Sequence, residues 1–237
     1  MIDSKHNILR KIRSLLNFWI WGRDLSFLQQ IRICELQQCL QFIPHGSRVL
    51  DFGAGSGQQA VYLTEQGYQV TALDVASSNY RNETVYPIQL YDGIDIPFGP
   101  NSFDIVFSSN VFEHIELTGC VLSKLHSITT DDARLILVMP SATWRIWTNI
   151  TDLIRSWHFT RPHGEHSKNV FEEVFKFRRN WWEEQLETPQ WTIERHDTNS
   201  LFYTGNNIFG PRLSLKTRRI MSSILGSSCN MFILKKK

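Results

Sequence analysis

An apolar run, an acidic residue and three glycines at alternate positions follow one another in residues 49–57, VLDFGAGSG. The apolar run is typical of a buried parallel strand, and the glycines after it let the backbone adopt φ > 0 and pass close to a ligand. The helix expected next would direct free backbone N–H groups toward the same place. The pattern predicts a nucleotide-like cofactor at the carboxyl end of the first strand of a parallel sheet.

The spacing of the glycines distinguishes between nucleotide cofactors. A dinucleotide site with the pattern G-x-G-x-x-G would place its third glycine at position 58, which is Gln58, whereas the third glycine here is Gly57. This spacing disfavours a nicotinamide oxidoreductase. An acid followed by G-x-G-x-G resembles motif I of the class I S-adenosylmethionine (SAM) methyltransferases. The resemblance implies SAM as cofactor and an α/β fold with a Rossmann-like, seven-stranded, mostly parallel sheet.

Two further acidic residues stand where parallel strands are expected to end. Asp74 ends a second apolar run, about one βα unit after Asp51, and a carboxylate there can accept hydrogen bonds from both ribose hydroxyls. A surface helix cap is the alternative interpretation of Asp74. Asp92 follows a third apolar run, and the family resemblance implies that Asp92 and Gly93 lie near the adenine.

Residues 96–115, IPFGPNSFDIVFSSNVFEHI, extend the resemblance. They are similar to the fourth strand and the following helix start in the small-molecule branch of the family. The resemblance implies a cofactor site made of Asp51, Gly53, Ala54, Gly55, Gly57, Asp74, Val75, Asp92, Gly93, Asn110 and Val111.

The length of 237 residues and the hydrophobic content of 42% suffice for one domain with an ample core. We expect a helical cover over residues 1–45 and a SAM-binding core over 46–140. A substrate-facing insertion with a helix is expected over 141–190, followed by C-terminal strands and a helix over 191–237.

Strand and helix alternate in the middle of the chain, which is typical of a parallel sheet with both faces covered. Helices are predicted over residues 5–42, 117–129, 170–187 and 213–225. Strands are predicted near 48–52, 69–73, 86–90, 103–108, 134–139, 191–196 and 230–234, the last as an antiparallel edge. Residues 141–169, rich in Trp, His and Thr, are predicted to form an irregular segment facing the substrate.

The net charge of +2 conceals an uneven distribution. Residues 1–23 carry five Lys or Arg and one acid, and residues 198–237 carry seven and none, so the middle of the chain is acidic. An acidic middle argues against a nucleic-acid substrate. The basic ends, with the aromatic group at 18–21, leave open a peripheral contact with an anionic membrane surface.

The four cysteines form no C-x-x-C pair and are expected to be buried thiols in a reducing compartment. Neither a signal peptide nor a membrane-length apolar run is visible in the sequence. We therefore expect a cytoplasmic protein, with contact to a membrane face as the open alternative. The sequence makes no prediction about oligomeric state.

Transfer of a methyl group from SAM to a hydroxyl requires positioning and removal of one proton. Imidazole is suited to that task near neutral pH, so His114, after the fourth strand, and His163 and His166, in the insertion, are the candidate catalytic residues. The alternatives are a backbone contact for His114 and a solvent-exposed polar loop for the other two. Aromatic residues that could wall the acceptor pocket are Tyr80, Trp144, Trp147, Trp157 and Trp182.

The main hypothesis assigns no metal ligand, but one alternative hypothesis involves a metal. Glu113 and His114 with a loop histidine resemble the E-x-x-E-H site, plus a distant His, of the plant small-RNA 2′-O-methyltransferases. Asn110 stands where that pattern has its first Glu, and the loss of a carboxylate weakens a site for a hard cation.

The C-terminal half resembles methyltransferases of bacterial cell-surface polysaccharide pathways, in the segments 162–166, 213–219 and 227–229. This resemblance implies a small-molecule or glycan substrate, such as a sugar or lipid-linked sugar hydroxyl. A hypothesis from another class is a SAM-binding or glycan-binding module without catalysis, acting as a partner subunit.

Overall fold

A computed structural model describes residues 25–78, 84–159, 161–164, 166–206 and 208–237. Its seven strands form one sheet in the order β3-β2-β1-β4-β5-β7-β6. The strands are β1 Arg48–Phe52, β2 Gln69–Val75, β3 Ile88–Tyr91, β4 Phe103–Ser109, β5 Thr129–Pro140, β6 Trp191–Thr198 and β7 Cys229–Lys236. This arrangement confirms the predicted α/β fold with a Rossmann-like, mostly parallel sheet.

The helices are α1 Leu25–Cys39, α2 Gln58–Glu65, α3 Thr118–Ile128, α4 Ala142–Ser156, α5 Val170–Lys176, α6 Arg179–Leu186 and α7 Leu215–Leu225. Short 3₁₀ turns occur at Leu40–Phe42, Phe112–His114 and Gly210–Arg212. None of the helices in the described ranges is both long and apolar enough to cross a bilayer. The predictions for residues 5–24, including the aromatic group at 18–21, lie outside the described residues.

The order of the strands places the carboxyl ends of β1 and β4 side by side. From β1 the sheet grows through β2 to β3 in one direction, and through β4 to β5 in the other, with parallel pairing throughout. In open α/β sheets a ligand crevice forms where the strand order reverses in this way. The glycine turn after β1 and the Asn110–His114 region after β4 therefore face each other.

The prediction that the last strand forms the edge of the sheet is wrong. β7 lies between β5 and β6 and pairs antiparallel with both, and β6 is the edge strand. The burial pattern gives the reason. The first six residues of β7 are all buried, whereas most of β6 is only half-buried or exposed, and a strand with both faces covered needs neighbours on both sides.

The predicted irregular segment is also wrong over its first half. Residues 142–156 form α4, whose N-terminus is capped by the Ser141 hydroxyl accepting a hydrogen bond from the N–H of Trp144. The buried face of α4 is mostly polar and consists of Trp144, Arg145, Thr148, Asn149, Thr151 and Asp152, whereas its Ile and Leu side chains are exposed. Tertiary contacts of this buried face stabilise the helix despite several β-branched residues. The predicted helix over 170–187 is two helices, α5 and α6, separated at Phe177 and Arg178.

Three of the four cysteines are buried as predicted, but Cys120 is exposed on α3. The core lies on both faces of the sheet, where β1, β4, β5 and β7 contribute side chains that are almost wholly buried. Ile31 and Leu36 of α1 belong to this core, and α1 contacts α2, the helix that follows the glycine turn. This packing fixes α1 beside the crevice.

Candidate active site

The turn after β1 requires glycine at two positions for steric reasons. Gly53 has φ +77°, and a Cβ there would overlap the side chain of Val111 after β4. Gly57 has φ +82°, and a Cβ there would overlap Tyr86. The N–H groups of Gly53 and Ala54 donate to the carbonyl of Leu73 on β2. The turn is thus held against two neighbouring strands, which leaves its inner side open to a ligand.

Asp74, at the end of β2, is tied to the glycine turn. One carboxylate oxygen accepts a hydrogen bond from the N–H of Gly55 at 2.8 Å, and the other accepts from the N–H of Val75 at 2.7 Å. The carboxyl group is buried and lines the cavity. Because each carboxylate oxygen has two lone pairs, Asp74 keeps accepting capacity for a ligand hydroxyl.

Asp51 lies behind the glycine turn rather than in the cavity wall. Its side chain is buried, and one of its oxygens has no hydrogen-bond partner. Burial, with a smaller contribution from the nearby charge of Asp74, raises the pKa of Asp51 to about 7. At neutral pH the ionised form of this carboxyl group is therefore destabilised by its surroundings.

A cavity of about 370 Å³ occupies the crevice between the β1 and β4 ends. Eight of the residues predicted from sequence line it, namely Gly53, Ala54, Gly55, Asp74, Val75, Asn110, Val111 and His114. Asp51, Gly57, Asp92 and Gly93 do not line it. Asp92 is exposed, and its Oδ1 accepts hydrogen bonds from the N–H groups of Ile94 and Asp95, so its carboxylate closes a turn.

Several residues of the cavity wall were missed by the sequence reasoning. They are Leu28, Gln29 and Arg32 from α1, Ser56, Gln58 and Gln59 from the turn and α2, Ser77 and Ser78 after β2, and Ser109 at the end of β4. Those after a strand could have been found from their position alone. Those from α1 belong to the helical cover that was expected over the sheet and the cofactor, but no motif indicates which of its side chains face the crevice.

Arg32 is the cationic residue that α1 contributes to the cavity wall. One of its nitrogens donates hydrogen bonds to Glu35 at 2.9 Å and to the hydroxyl of Tyr203 at 3.0 Å. The Tyr203 hydroxyl in turn donates to Glu35, which is fully buried. The network orients the guanidinium and keeps a positive charge at the cavity.

The three candidate histidines are brought together by the structure. His114 lines the cavity, and the ring of His163 lies 4.9 Å from it between centroids. Nε2 of His163 lies 3.6 Å from a carboxylate oxygen of Glu113, whose side chain is fully buried. His163 also contacts Trp144 edge-on at 5.1 Å. The result is a buried carboxylate behind two imidazoles, of which His114 lines the cavity and His163 lies against His114.

The backbone of the His163 loop is fixed from α5. Glu173 accepts hydrogen bonds from the N–H groups of both His163 and Gly164, each at 2.7 Å. Its other oxygen pairs with Arg145 of α4. A Cβ at Gly164 would overlap the carbonyl oxygen of Glu113, so this glycine allows the loop to lie directly on the 3₁₀ turn that carries Glu113 and His114.

His166 plays a different part from His163. Its Nε2 lies 3.0 Å from the carbonyl oxygen of His114, and its Nδ1 lies 3.7 Å from Glu116. The ring is therefore engaged with backbone at the outer side of the loop. This placement makes His166 a second tether of the loop and leaves His114 and His163 as the imidazoles nearest the cavity.

None of the predicted aromatic residues that the structure describes lines the cavity, although Trp144 contacts the ring of His163. Trp182 packs in the core beside Trp181, and Trp147 donates from Nε1 to the carbonyl of Leu225. Trp157 points to solvent, with 80% of its surface exposed. Tyr80 lies outside the described residues.

The fold, the glycine turn and the acid at the end of β2 define a class I SAM-dependent methyltransferase. A family model described as "Methyltransferase domain" matches residues 27–187, and the chain belongs to this family. SAM is accordingly its cofactor, and methyl transfer is the activity for which the family is named.

The chain is similar in sequence to two kinds of curated protein. It is 36% identical over 97 residues to an uncharacterized methyltransferase of Staphylococcus carnosus, covering 38% of this chain and 46% of that protein. It is 29% identical over 131 residues to a ubiquinone biosynthesis O-methyltransferase of Rickettsia bellii, covering 49% of this chain and 54% of that protein. The chain thus spans about half the length of these curated relatives.

Solved structures show the same fold at low identity. A SAM-dependent methyltransferase structure from Listeria monocytogenes matches with a TM-score of 0.56 and 16% identity, covering 86% of this chain and 97% of that one. A geranyl diphosphate C-methyltransferase from Streptomyces coelicolor, solved with S-adenosyl-L-homocysteine, matches with a TM-score of 0.53 and 12% identity, covering 85% and 74%. Matches at this identity establish the fold alone.

Proposed function

We propose that this enzyme transfers the methyl group of SAM to a hydroxyl oxygen of a small molecule, with His163 as the general base. The observation that carries the proposal is the pair formed by His163 and the fully buried Glu113 beside His114 at the cavity. A buried carboxylate behind an imidazole stabilises the imidazolium that forms when the base takes a proton.

The cofactor would lie along the cavity from the glycine turn to the β4 end. In this arrangement the backbone of residues 53–55 would receive the methionine part of SAM, and Asp74 would accept hydrogen bonds from the ribose hydroxyls. Arg32 would bind the methionine carboxylate. Asn110, Val111 and His114 line the opposite wall and would border the methyl group.

The reaction needs few protein groups because SAM, when bound, would supply a methyl carbon that its sulfonium already activates. The acceptor hydroxyl would replace the sulfur on that carbon, with S-adenosylhomocysteine as the leaving group, so the protein has only to position the acceptor and take one proton. The hydroxyl proton passes to Nδ1 of His163, since Nε2 faces Glu113. The methyl ether and the imidazolium are the products, and the imidazolium returns its proton to water.

Two separate observations support a proposal for the methyl acceptor. The C-terminal resemblance supports a sugar or lipid-linked sugar hydroxyl. The Rickettsia relatives are ubiquinone biosynthesis O-methyltransferases, which supports hydroxylated precursors of that pathway as a second group of acceptors. Both groups share an O–H nucleophile, which is the chemistry that the Glu113 and His163 pair serves.

The experiment measures S-adenosylhomocysteine formation with a panel of hydroxylated sugars, lipid-linked sugars and hydroxylated quinone precursors. We expect His163→Ala to lower turnover by about 10²–10⁴-fold, the usual contribution of a general base, with SAM affinity unchanged by calorimetry. His45→Ala, at an exposed histidine before β1 that stacks on Tyr68 and does not line the cavity, is the control and should retain most of the turnover. Equal turnover in wild type and His163→Ala would remove this residue as the base. Absence of product with every acceptor would favour the non-catalytic partner subunit.

A second candidate function is metal-assisted O-methylation, and it rests on a separate observation. Donor atoms of Glu113, His114 and His163 lie within 4.8 Å of one another. Both carboxylate oxygens of Glu113 are buried without a hydrogen-bond partner. Two imidazoles and one carboxylate suit a divalent transition metal better than Mg²⁺, and a metal there would orient the acceptor oxygen and lower the pKa of its hydroxyl.

The two mechanisms are separated by chelation. If His163 acts as base, turnover survives EDTA and Zn²⁺ or Mn²⁺ does not bind. If a metal is required, EDTA abolishes turnover, Mn²⁺ restores it, and Glu113→Gln loses Mn²⁺ binding by calorimetry while SAM affinity is kept. Activity in EDTA would eliminate the metal-assisted candidate.

A further inference from the structure

An exposed apolar surface covers α4, α5 and the loop between them. Of the fourteen large hydrophobic side chains that are exposed in the described part of the chain, eight lie between residues 146 and 175. They include Ile150, Leu153, Ile154, Trp157, Phe159 and Phe171, and we call the set the apolar face. Single exposed apolar residues are ordinary, but a contiguous group marks an interaction surface.

The apolar face is continuous across the two helices. A groove of about 340 Å³ runs between α4 and α5, and it is lined by Ile150 and Leu153 on one side and by Phe171 and Phe175 on the other. Phe159 closes one part of the groove, with its ring edge-on to that of Phe171 at 5.3 Å. The groove is therefore a built feature of the helix pair.

Trp157 projects from this face at the end of α4. Its backbone is left-handed, with φ +59°, at the position after the last turn where glycine is the common residue. A bulky residue in this conformation is strained, and here the strain accompanies a side chain that is 80% exposed. An exposed indole has an apolar body and a polar N–H, which suits the boundary between water and lipid.

The exposed charges along the apolar face are mainly cationic. Arg155, Arg161, Lys168 and Arg178 are exposed, whereas the exposed Arg179 pairs with Glu183 of α6. Between residues 142 and 179, leaving out 160 and 165, which the structure does not describe, no acidic side chain is exposed. Asp152 and Glu173 are buried, and the half-buried Glu172 pairs with Lys176. The rim therefore attracts an anionic partner.

We propose that the apolar face docks on an anionic lipid surface. The exposed aliphatic and aromatic side chains would enter the boundary between head groups and acyl chains, and the rim cations would lie at the level of the lipid phosphates. A second copy of this chain fits less well, because a two-fold contact would bring two cationic rims together.

The docking surface shares a loop with the candidate active site. Phe159 belongs to the apolar face, and His163, four residues later, contacts His114, which lines the cavity. A protein docked through the apolar face would thus hold the side on which the methyl acceptor is proposed to bind next to the lipid. An acceptor dissolved in the bilayer could then reach the site directly. Docking itself is independent of the proposed function and of its base.

The test is co-flotation of the full chain with vesicles of phosphatidylcholine, with and without phosphatidylglycerol. We expect partition only onto the vesicles that contain phosphatidylglycerol, and weaker partition as salt rises. The variant Ile154→Ser with Trp157→Ser should lose at least tenfold in partition coefficient. These positions are 67% and 80% exposed, so the fold should be retained and far-ultraviolet circular dichroism should be unchanged.

Two matched variants assign the effect to the right surface. Ile94→Ser removes a side chain that is 65% exposed beyond the other edge of the sheet, after β3, and should partition like the wild type. Lys11→Ser with Arg13→Ser lowers the charge of the N-terminal segment and should also retain partition. The proposal is overturned if wild type ignores both vesicles, if Ile154→Ser with Trp157→Ser binds as wild type does, or if only the N-terminal variant loses binding. A concentration-dependent dimer that this double variant abolishes would assign the face to a second copy instead.

Discussion

Glu173 and Arg145 form an ion pair in the interior, with Oε2 of Glu173 2.9 Å from Nε of Arg145 and both side chains at most 2% exposed. The contact is a close charge pair without hydrogen-bond alignment. The other oxygen of Glu173 accepts from the backbone of His163 and Gly164. A single carboxylate thereby joins α4, α5 and the loop that carries the proposed base.

Removal of this carboxylate should cost both stability and turnover. Glu173→Ala leaves Arg145 buried and unpaired, which we expect to lower the free energy of unfolding by about 3–5 kcal/mol. Urea denaturation measures this change.

A paired replacement separates the two effects. Glu173→Leu with Arg145→Met should recover much of the stability, because an apolar pair can replace a buried ion pair. It should not recover turnover, since the N–H groups of His163 and Gly164 remain without their acceptor. Recovery of both properties together would show that the loop needs no anchor.

The steric role of Gly53 predicts a loss of cofactor binding. Gly53→Ala should weaken binding of S-adenosylhomocysteine more than tenfold by calorimetry, because the added methyl overlaps Val111 and the positive φ is strained for alanine. Gly99→Ala is the control, since a Cβ there meets nothing within 4 Å. It should change stability by less than about 0.5 kcal/mol. Equal affinity in the two variants would contradict the role of Gly53.

The buried Asp51 predicts an unusual pH dependence of stability. Its pKa is raised to about 7 in the folded protein, against about 4 in an unfolded chain. Between these values the folded state holds the extra proton, so the free energy of unfolding falls as pH rises. Asp51→Asn removes this dependence. Urea denaturation measures the free energy of unfolding of both proteins at pH 4 and pH 8. The difference between Asp51→Asn and wild type should shift in favour of Asp51→Asn by on the order of 3 kcal/mol from pH 4 to pH 8. A parallel pair of pH profiles would contradict the prediction.

The position of Arg32 predicts that its replacement weakens only the contact with the methionine part of the cofactor. Arg32→Gln should weaken S-adenosylhomocysteine binding by about tenfold, or roughly 1.4 kcal/mol, because a charge-assisted contact with the methionine carboxylate is lost. Adenosine lacks that carboxylate, so its affinity should change little. Calorimetry with both ligands makes the comparison, and an equal loss for both would indicate collapse of α1 instead.

Much of the fold was predictable because its signals are local. The apolar runs of β1, β2 and β4 and the turn at Gly53 and Gly57 are each written in a few consecutive residues, and their bounds agree with the sequence to within two residues. The eight predicted residues that line the cavity were also predictable, since they follow strands whose ends must meet at one edge of a parallel sheet.

Other parts were decided by packing. α4 lies in the segment 141–169 that was predicted to be irregular because it is rich in Trp, His and Thr and contains Pro162 and Gly164, and the tertiary contacts of its buried face outweigh the weak helix preference of Thr and Trp. The order of β6 and β7 depends on which strand has both faces covered. Asp92, which follows β3 as predicted, turns its carboxylate to its own backbone and stays outside the cavity wall.

The sequence by itself determined the cofactor-binding framework, because glycine at fixed spacing and an acid at a strand end act over distances of a few residues. Only the tertiary structure decided which groups stand beside that framework. His163 reaches Glu113 across 50 positions of chain because Glu173, Arg145 and Gly164 hold its loop against the turn after β4. Contacts between residues so far apart in sequence arise from the packing of whole helices on a sheet, and no local pattern encodes them.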